Sequence, residues 1–161
     1  MMTRRTYKWL SLVICLAVCF LAAGIGSVFM GMADWAWYEA LVKPSWRPPN
    51  WLFGPVWTVL YVLMAVAAWQ VWVLAKPGKV SAPLFLFGLQ LSFNAAWTGL
   101  FFAMQSPLAG LVDIAVLWVL IAATLAAFWR VNALAGVLLI PYLAWVSFAS
   151  VLNFAIWRLN A

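Results

Sequence analysis

From Trp9 to Ala33 the chain carries no charged side chain. No other feature narrows its folding options so far, because about 20 apolar residues suffice for a helix to cross the hydrocarbon of a bilayer. Four further apolar runs follow, at about 51–75, 81–104, 107–129 and 133–157. Lys76-Pro-Gly-Lys79 breaks the chain after the second run, Gln105-Ser-Pro107 after the third and Arg130-Val-Asn132 after the fourth. Pro107 suits a first helical turn, where its missing N–H costs no hydrogen bond. The first run exceeds the 7–15 residues of a secretory apolar region and lacks a small-residue cleavage site, so it reads as a retained helix. Only 7% of residues are charged and 69% are hydrophobic, against about 25% charged in a soluble domain. The expected fold is an all-α integral membrane protein, one five-helix transmembrane bundle over 1–161. Its connections are too short for a second domain.

Charge placement excludes several functions and orients the chain. The net charge of +6 comes from basic residues lying between apolar runs, with no Lys/Arg patch suited to nucleic acid. Arg4, Arg5, Lys8, Lys76, Lys79 and Arg130 gather on the amino-terminal side, and Lys43, Arg47 and Arg158 on the other. Cytoplasmic loops carry the excess of basic residues, so the amino terminus is expected in the cytoplasm, in a bacterial cell membrane. The chain has no histidine, which removes histidine-based catalysis and the commonest metal ligand. Cys15 and Cys19 share a helix face in lipid and read as small packing residues; no metal site is expected. Asp113 is an acid within a span, read as a solvated or paired carboxylate near the membrane surface, within reach of water or Arg158.

The one sizeable connection, 34–50, holds Trp35, Trp37, Tyr38 and Trp46. Aromatic residues favour the headgroup zone, but that does not explain Lys43-Pro44 and Arg47-Pro48-Pro49. Proline fixes its own φ and restricts the residue before it. The stretch therefore reads as a stiff loop suited to capping a cavity.

Three ordered blocks carry a resemblance. The first holds Trp37-Tyr38, Lys43-Pro-Ser-Trp-Arg-Pro-Pro49, Trp51-Leu-Phe53 and Pro55-Val-Trp-Thr-Val-Leu-Tyr61. The second holds Gln90-Leu-Ser-Phe-Asn-Ala-Ala-Trp-Thr98 with Phe101-Phe102, and the third Pro141-Tyr-Leu-Ala-Trp145 with Phe148-Ala149 and Leu152-Asn153. Together they resemble the translocator protein family, also called tryptophan-rich sensory proteins or peripheral-type benzodiazepine receptors. The resemblance runs from about Trp37 to Arg158, and the first helix matches only in character. It implies a five-helix bundle, usually dimeric, with a cavity opening toward the first loop. It also implies porphyrin, sterol, benzodiazepine or isoquinoline ligands.

Helical spacing supports a cavity independently. Phe53, Trp57, Tyr61 and Met64 form one aromatic stripe on the second span. Gln90, Asn94 and Thr98 share a face of the third, flanked by Trp97 and Phe101. Pro141, Trp145, Ala149 and Leu152 share a face of the fifth, with Asn153 beside it. Amides avoid hydrocarbon, so Gln90, Asn94 and Asn153 point into the bundle. They either tie helices together or join the aromatic stripes in a pocket for a flat apolar ligand. Ala149 leaves room opposite the indoles. On the far face of the third span, Gly88, Ser92 and Ala96 make a small-residue stripe that fits a homodimer or an internal helix pair. Ala22, Gly26 and Met30 on the first span offer a weaker competing contact face.

The ligand-binding candidates are thus Tyr38, Trp46, Arg47, Pro48, Phe53, Trp57 and Tyr61. Gln90, Asn94, Trp97, Trp145, Ala149 and Leu152 complete the set. Phe154 stands where the family's sterol motif has tyrosine, which favours a porphyrin, protoporphyrin IX or haem-like, over a sterol. Arg47 and Lys43 would meet its propionates or, alternatively, anionic lipid. The leading function is a membrane receptor or carrier for tetrapyrroles, with no covalent cofactor. The alternative is light-dependent oxidative breakdown of bound porphyrin at Trp57 and Trp145, since no conventional acid, base or nucleophile is present.

Overall fold

A computed structural model describes residues 3–76 and 79–161. Five of its helices are long and apolar enough to cross a membrane. Pro77 and Gly78, in the turn expected at Lys76–Lys79, lie outside the described residues.

Helix α1 (Arg4–Gly31) starts in the basic segment rather than at Trp9, because the Thr3 side chain accepts from the Thr6 N–H and caps it. Its 28 residues span about 42 Å at 1.5 Å per residue, more than the roughly 30 Å hydrocarbon layer. The loop contains a short helix, α2 (Trp35–Ala40), capped by Asp34, whose Oδ1 accepts from Ala36 and Trp37 N–H at 3.0 and 3.3 Å. Helix α3 (Asn50–Leu74) follows Pro49 and carries Pro55 within it. Helix α4 (Ser81–Thr98) continues into a π-helical turn, Gly99–Ala103, in which Met104 N donates to Gly99 O at 2.9 Å. Gln105, with φ 51°, then reverses the chain.

Helix α5 (Pro107–Val131) is capped by Ser106, whose Oγ accepts from Ala109 N at 3.2 Å. The fifth span is not one helix. It divides into α6 (Ala133–Val137) and α7 (Ile140–Asn160), with Pro141 in the first turn of α7. A proline there has no N–H to continue the α6 ladder. Beside the break, Gly136 packs so closely that a Cβ would come within 2.5 Å of the Trp129 ring.

The helices form a ring. α1 packs on α3 and α4, α4 on α5, and α5 on α6 and α7; the ring closes on α3 chiefly through α6, and α7 touches α3 only sparsely. Small residues allow the close α1–α3 approach: Cys15, Cys19 and Ala22 are buried on one, Ala65, Ala67 and Ala68 on the other. Both cysteines therefore face the core and not lipid, a correction to their expected surroundings though not to their packing role. Ala22 is buried and Gly26 lines a cavity, so that stripe points inward and is not an outer contact face. Trp69 Nε1 donates to Lys8 O and Trp72 Nε1 to the Tyr7 hydroxyl, each at 2.9 Å, tying the end of α3 to the start of α1.

Candidate functional site

Away from the loop the ring is filled, with Met64, Val71, Phe128 and Leu139 essentially inaccessible. Toward the loop it opens into a cavity of about 570 Å³ with no charged residue in its wall. That volume falls within the range of small-molecule sites. Helix α3 contributes Phe53, Trp57 and Tyr61, α4 contributes Asn94, Trp97 and Thr98, and α7 contributes Trp145, Ala149 and Leu152. Tyr38 reaches over from α2, its ring 5.2 Å from that of Phe102. The edge of Phe53 meets Trp145 at 5.7 Å, and Trp57 lies 5.6 Å from Tyr61.

Four expected ligand residues do not line this cavity. Gln90 sits one turn deeper on α4, 1% exposed, where its Oε1 accepts from the Tyr142 hydroxyl at 2.9 Å. Trp46 is half exposed and packs its ring edge-on against Phe148 at 5.9 Å. Arg47 stands outside the cavity wall and donates from Nη1 to the Tyr38 hydroxyl at 2.8 Å. Pro48 stays in the loop backbone, outside the wall. Two stripe members also differ. Met64 is buried beneath the cavity, and Pro141 turns outward while its neighbour Tyr142 is buried.

Tyr142 completes a hydrogen-bond chain under the cavity. The Tyr61 hydroxyl donates to Asn94 Oδ1, Asn94 Nδ2 donates to the Tyr142 hydroxyl at 2.9 Å, and that hydroxyl donates to Gln90. The chain joins α3, α4 and α7. Asn153 makes a second knot, accepting from Trp97 Nε1 at 3.0 Å and donating to Pro107 O at 2.8 Å. Of the two roles open to the amides, tying helices is the one these three perform, and Asn94 and Asn153 also edge the cavity. Ser27 and Thr58 in the wall turn their hydroxyls back to the carbonyls of Ala23 and Gly54 at 2.9 Å each. The wall thus offers aromatic faces and few free polar groups. The indole N–H groups of Trp57 and Trp145 donate to no partner among the described residues.

The loop is tied down over the cavity. Asn160, at the end of α7, accepts from Val42 N and donates to Val42 O, both at 2.9 Å. Lys43 Nζ donates to the carbonyls of Glu39 and Leu41 and lies 4.7 Å from the Tyr38 ring centre. Desolvation, helped by Arg47 and opposed by Glu39, draws the Lys43 ammonium below its ordinary pKa.

Several wall residues escaped the sequence reading. α1 supplies Phe20, Ala23, Gly26, Ser27 and Met30, and α5 supplies Ile114 and Leu117. In the π-turn the Gly99 hydrogen lies against the Phe29 ring, where a Cβ would come within 3.3 Å, and both Phe101 and Phe102 turn inward. Asp113 is not the solvated or Arg158-paired carboxylate expected: it is 5% exposed, its Oδ2 has no partner among the described residues, and Arg158 is exposed in the last turn of α7. On the outer face of α4, Gly88 and Ser92 are exposed, and a Cβ on Gly88 would meet nothing within 4 Å. At Gly88 the stripe therefore serves no internal helix pair.

The sequence model of the TspO/MBR family matches residues 12–158. The chain is 49% identical to a "Tryptophan-rich protein TspO" of Chlorobaculum tepidum, over 94% of this chain and 96% of that one. It is 40% identical to a "Tryptophan-rich sensory protein" of Cereibacter sphaeroides, over 94% and 92% of the two chains. Against a human "Translocator protein" identity is 41%, over 84% and 82%. With five membrane-spanning helices arranged around an aromatic cavity, the chain is an integral membrane protein belonging to the TspO/MBR family.

Proposed function

We propose that the protein binds a porphyrin-type tetrapyrrole, protoporphyrin IX or a haem-like ring, and acts as its membrane receptor or carrier in sensing or transport. The observation that carries this reading is the uncharged cavity lined by Trp57 and Trp145, beneath a loop that holds Lys43 and Arg47. A flat apolar ring gains contact on the indole and phenyl faces. Acidic substituents at its edge gain from the cations outside, so ring and propionates are served by different parts of the site. The names of the relatives, sensory protein and translocator protein, accord with sensing or transport.

Arg4, Arg5, Lys8, Lys76, Lys79 and Arg130 cluster at one end of the bundle, which supports a cytoplasmic amino terminus; a bacterial cell membrane accords with the Chlorobaculum and Cereibacter relatives. The outward face of α4 at Gly88, Ser92 and Ala96 supports a homodimer packed there. A second reading, light-driven breakdown of bound porphyrin with dioxygen as the oxidant, draws on the two cavity indoles, whose N–H groups donate to no partner among the described residues.

Titration with protoporphyrin IX tests the receptor and the breakdown readings, first in the dark and then under light. The receptor reading expects a saturable red shift of the Soret band, stable under illumination. Light-dependent loss with a new absorbing product would select the enzymatic reading, and no saturable shift would reject both.

A further inference from the structure

Behind the cavity wall a second, outward-facing space of about 550 Å³ lies between α3 and α7. It exists because the fifth span is broken: α6 holds α3 closely, and beyond the break α7 diverges from it. Pro55 and Val59 line one side and Ala144 the other, all exposed on the bundle's outer surface, with Trp145 and Phe148 at the back. The surface is apolar and lies along two membrane-spanning helices, where hydrocarbon is the only solvent. An unfilled groove there would forfeit dispersion contacts on both walls.

Trp145 belongs to both spaces. Its ring helps line the cavity and also the groove. It meets Phe53 on the cavity side at 5.7 Å and Phe148 on the groove side at 5.7 Å. Phe148 in turn meets Trp46 of the loop at 5.9 Å. One line of aromatic rings therefore connects groove, cavity wall and loop.

We propose that this groove is a binding site for a single linear acyl chain of the bilayer, and that its occupancy fixes the loop through Phe148 and Trp46. A chain seated against Phe148 and Trp145 holds both rings in the arrangement that Trp46 packs on. Ordering contributed by the chain is then ordering the loop need not supply itself.

The test needs no cavity ligand, so it stands apart from the porphyrin reading. Delipidated protein in detergent is titrated with a phosphatidylcholine brominated mid-chain, and Trp145 quenching is read as the difference between each protein and its Trp145→Phe counterpart. Amide exchange over the loop, residues 41–50, is followed in the same samples. In the parent, quenching should saturate, and loop exchange should slow severalfold at the same lipid concentration. Ala144→Phe and Val59→Phe each fill the groove from an exposed position, so both should lose the saturable quenching and leave loop exchange insensitive to lipid. Quenching that rises without saturation, or persists in both filled variants, would overturn the site. Saturable quenching with unchanged loop exchange would overturn the coupling.

Discussion

Replacing Tyr142 by phenylalanine removes one oxygen from the centre of the bundle and leaves its packing volume in place. The side chain is fully buried, and its hydroxyl both accepts from Asn94 and donates to Gln90. Interhelical hydrogen bonds in membrane proteins average about 0.6 kcal/mol and reach about 1.7. Losing two should cost about 1–3 kcal/mol, with the upper part reached if the Asn94 and Gln90 amides find no substitute. Tyr61→Phe removes a single donor from the same chain, so it should cost about half as much. Equilibrium unfolding in mixed micelles with rising dodecyl sulfate would measure both. The double variant should fall short of the sum of the single costs, because the two hydroxyls share Asn94. Tyr142 does not line the cavity, so porphyrin affinity should change less than about twofold, below about 0.4 kcal/mol. Unchanged stability in Tyr142→Phe, or a cost no larger than that of Tyr61→Phe, would refute the chain as a structural tie.

Trp145→Ala should weaken protoporphyrin binding at least about threefold by fluorescence quenching, the scale of one aromatic contact. Trp118→Ala should leave affinity unchanged, since that indole bonds Ser147 at 2.8 Å outside the cavity. Arg47→Ala should cost a dicarboxylate porphyrin about 1 kcal/mol and spare its uncharged diester, with equal losses arguing against carboxylate contact. Gly88→Leu points into open space, so the monomer should fold while light scattering in detergent reports a smaller particle. A persistent dimer would place the interface elsewhere.

The spans were legible because apolar runs of bilayer length, charge-free except for Asp113 in the fourth, admit few alternatives, and their breaks carry proline, glycine and charge. The division of the fifth span was not: Leu138 and Leu139 are as apolar as the helices they separate, and only Pro141 marks the break. Pro141 does share a face with Trp145, but it is the groove side of α7, and Tyr142, one residue on, is the side chain that turns inward. The α1 wall stayed hidden for a related reason. Lipid and cavity are both apolar, so Phe20, Gly26 and Met30 show no contrast with the residues facing outward. Amides do contrast with lipid, which is why Asn94 and Asn153 were placed inside. Depth along the helix was not readable, and Gln90 lies one turn below the cavity. In the loop, Trp46, Arg47 and Pro48 stood out by composition, yet their partners, Phe148 and Tyr38, are set by tertiary packing.

A structure of the protein with protoporphyrin IX bound tests the central claim most directly, by locating the ring. The account predicts the macrocycle inside the bundle, against Trp57 and Trp145 and beneath Tyr38, with its carboxylates toward Lys43 and Arg47. A ring seated on the outer surface, against the exposed face of α4 or in the groove behind Trp145 with the cavity empty, would contradict it.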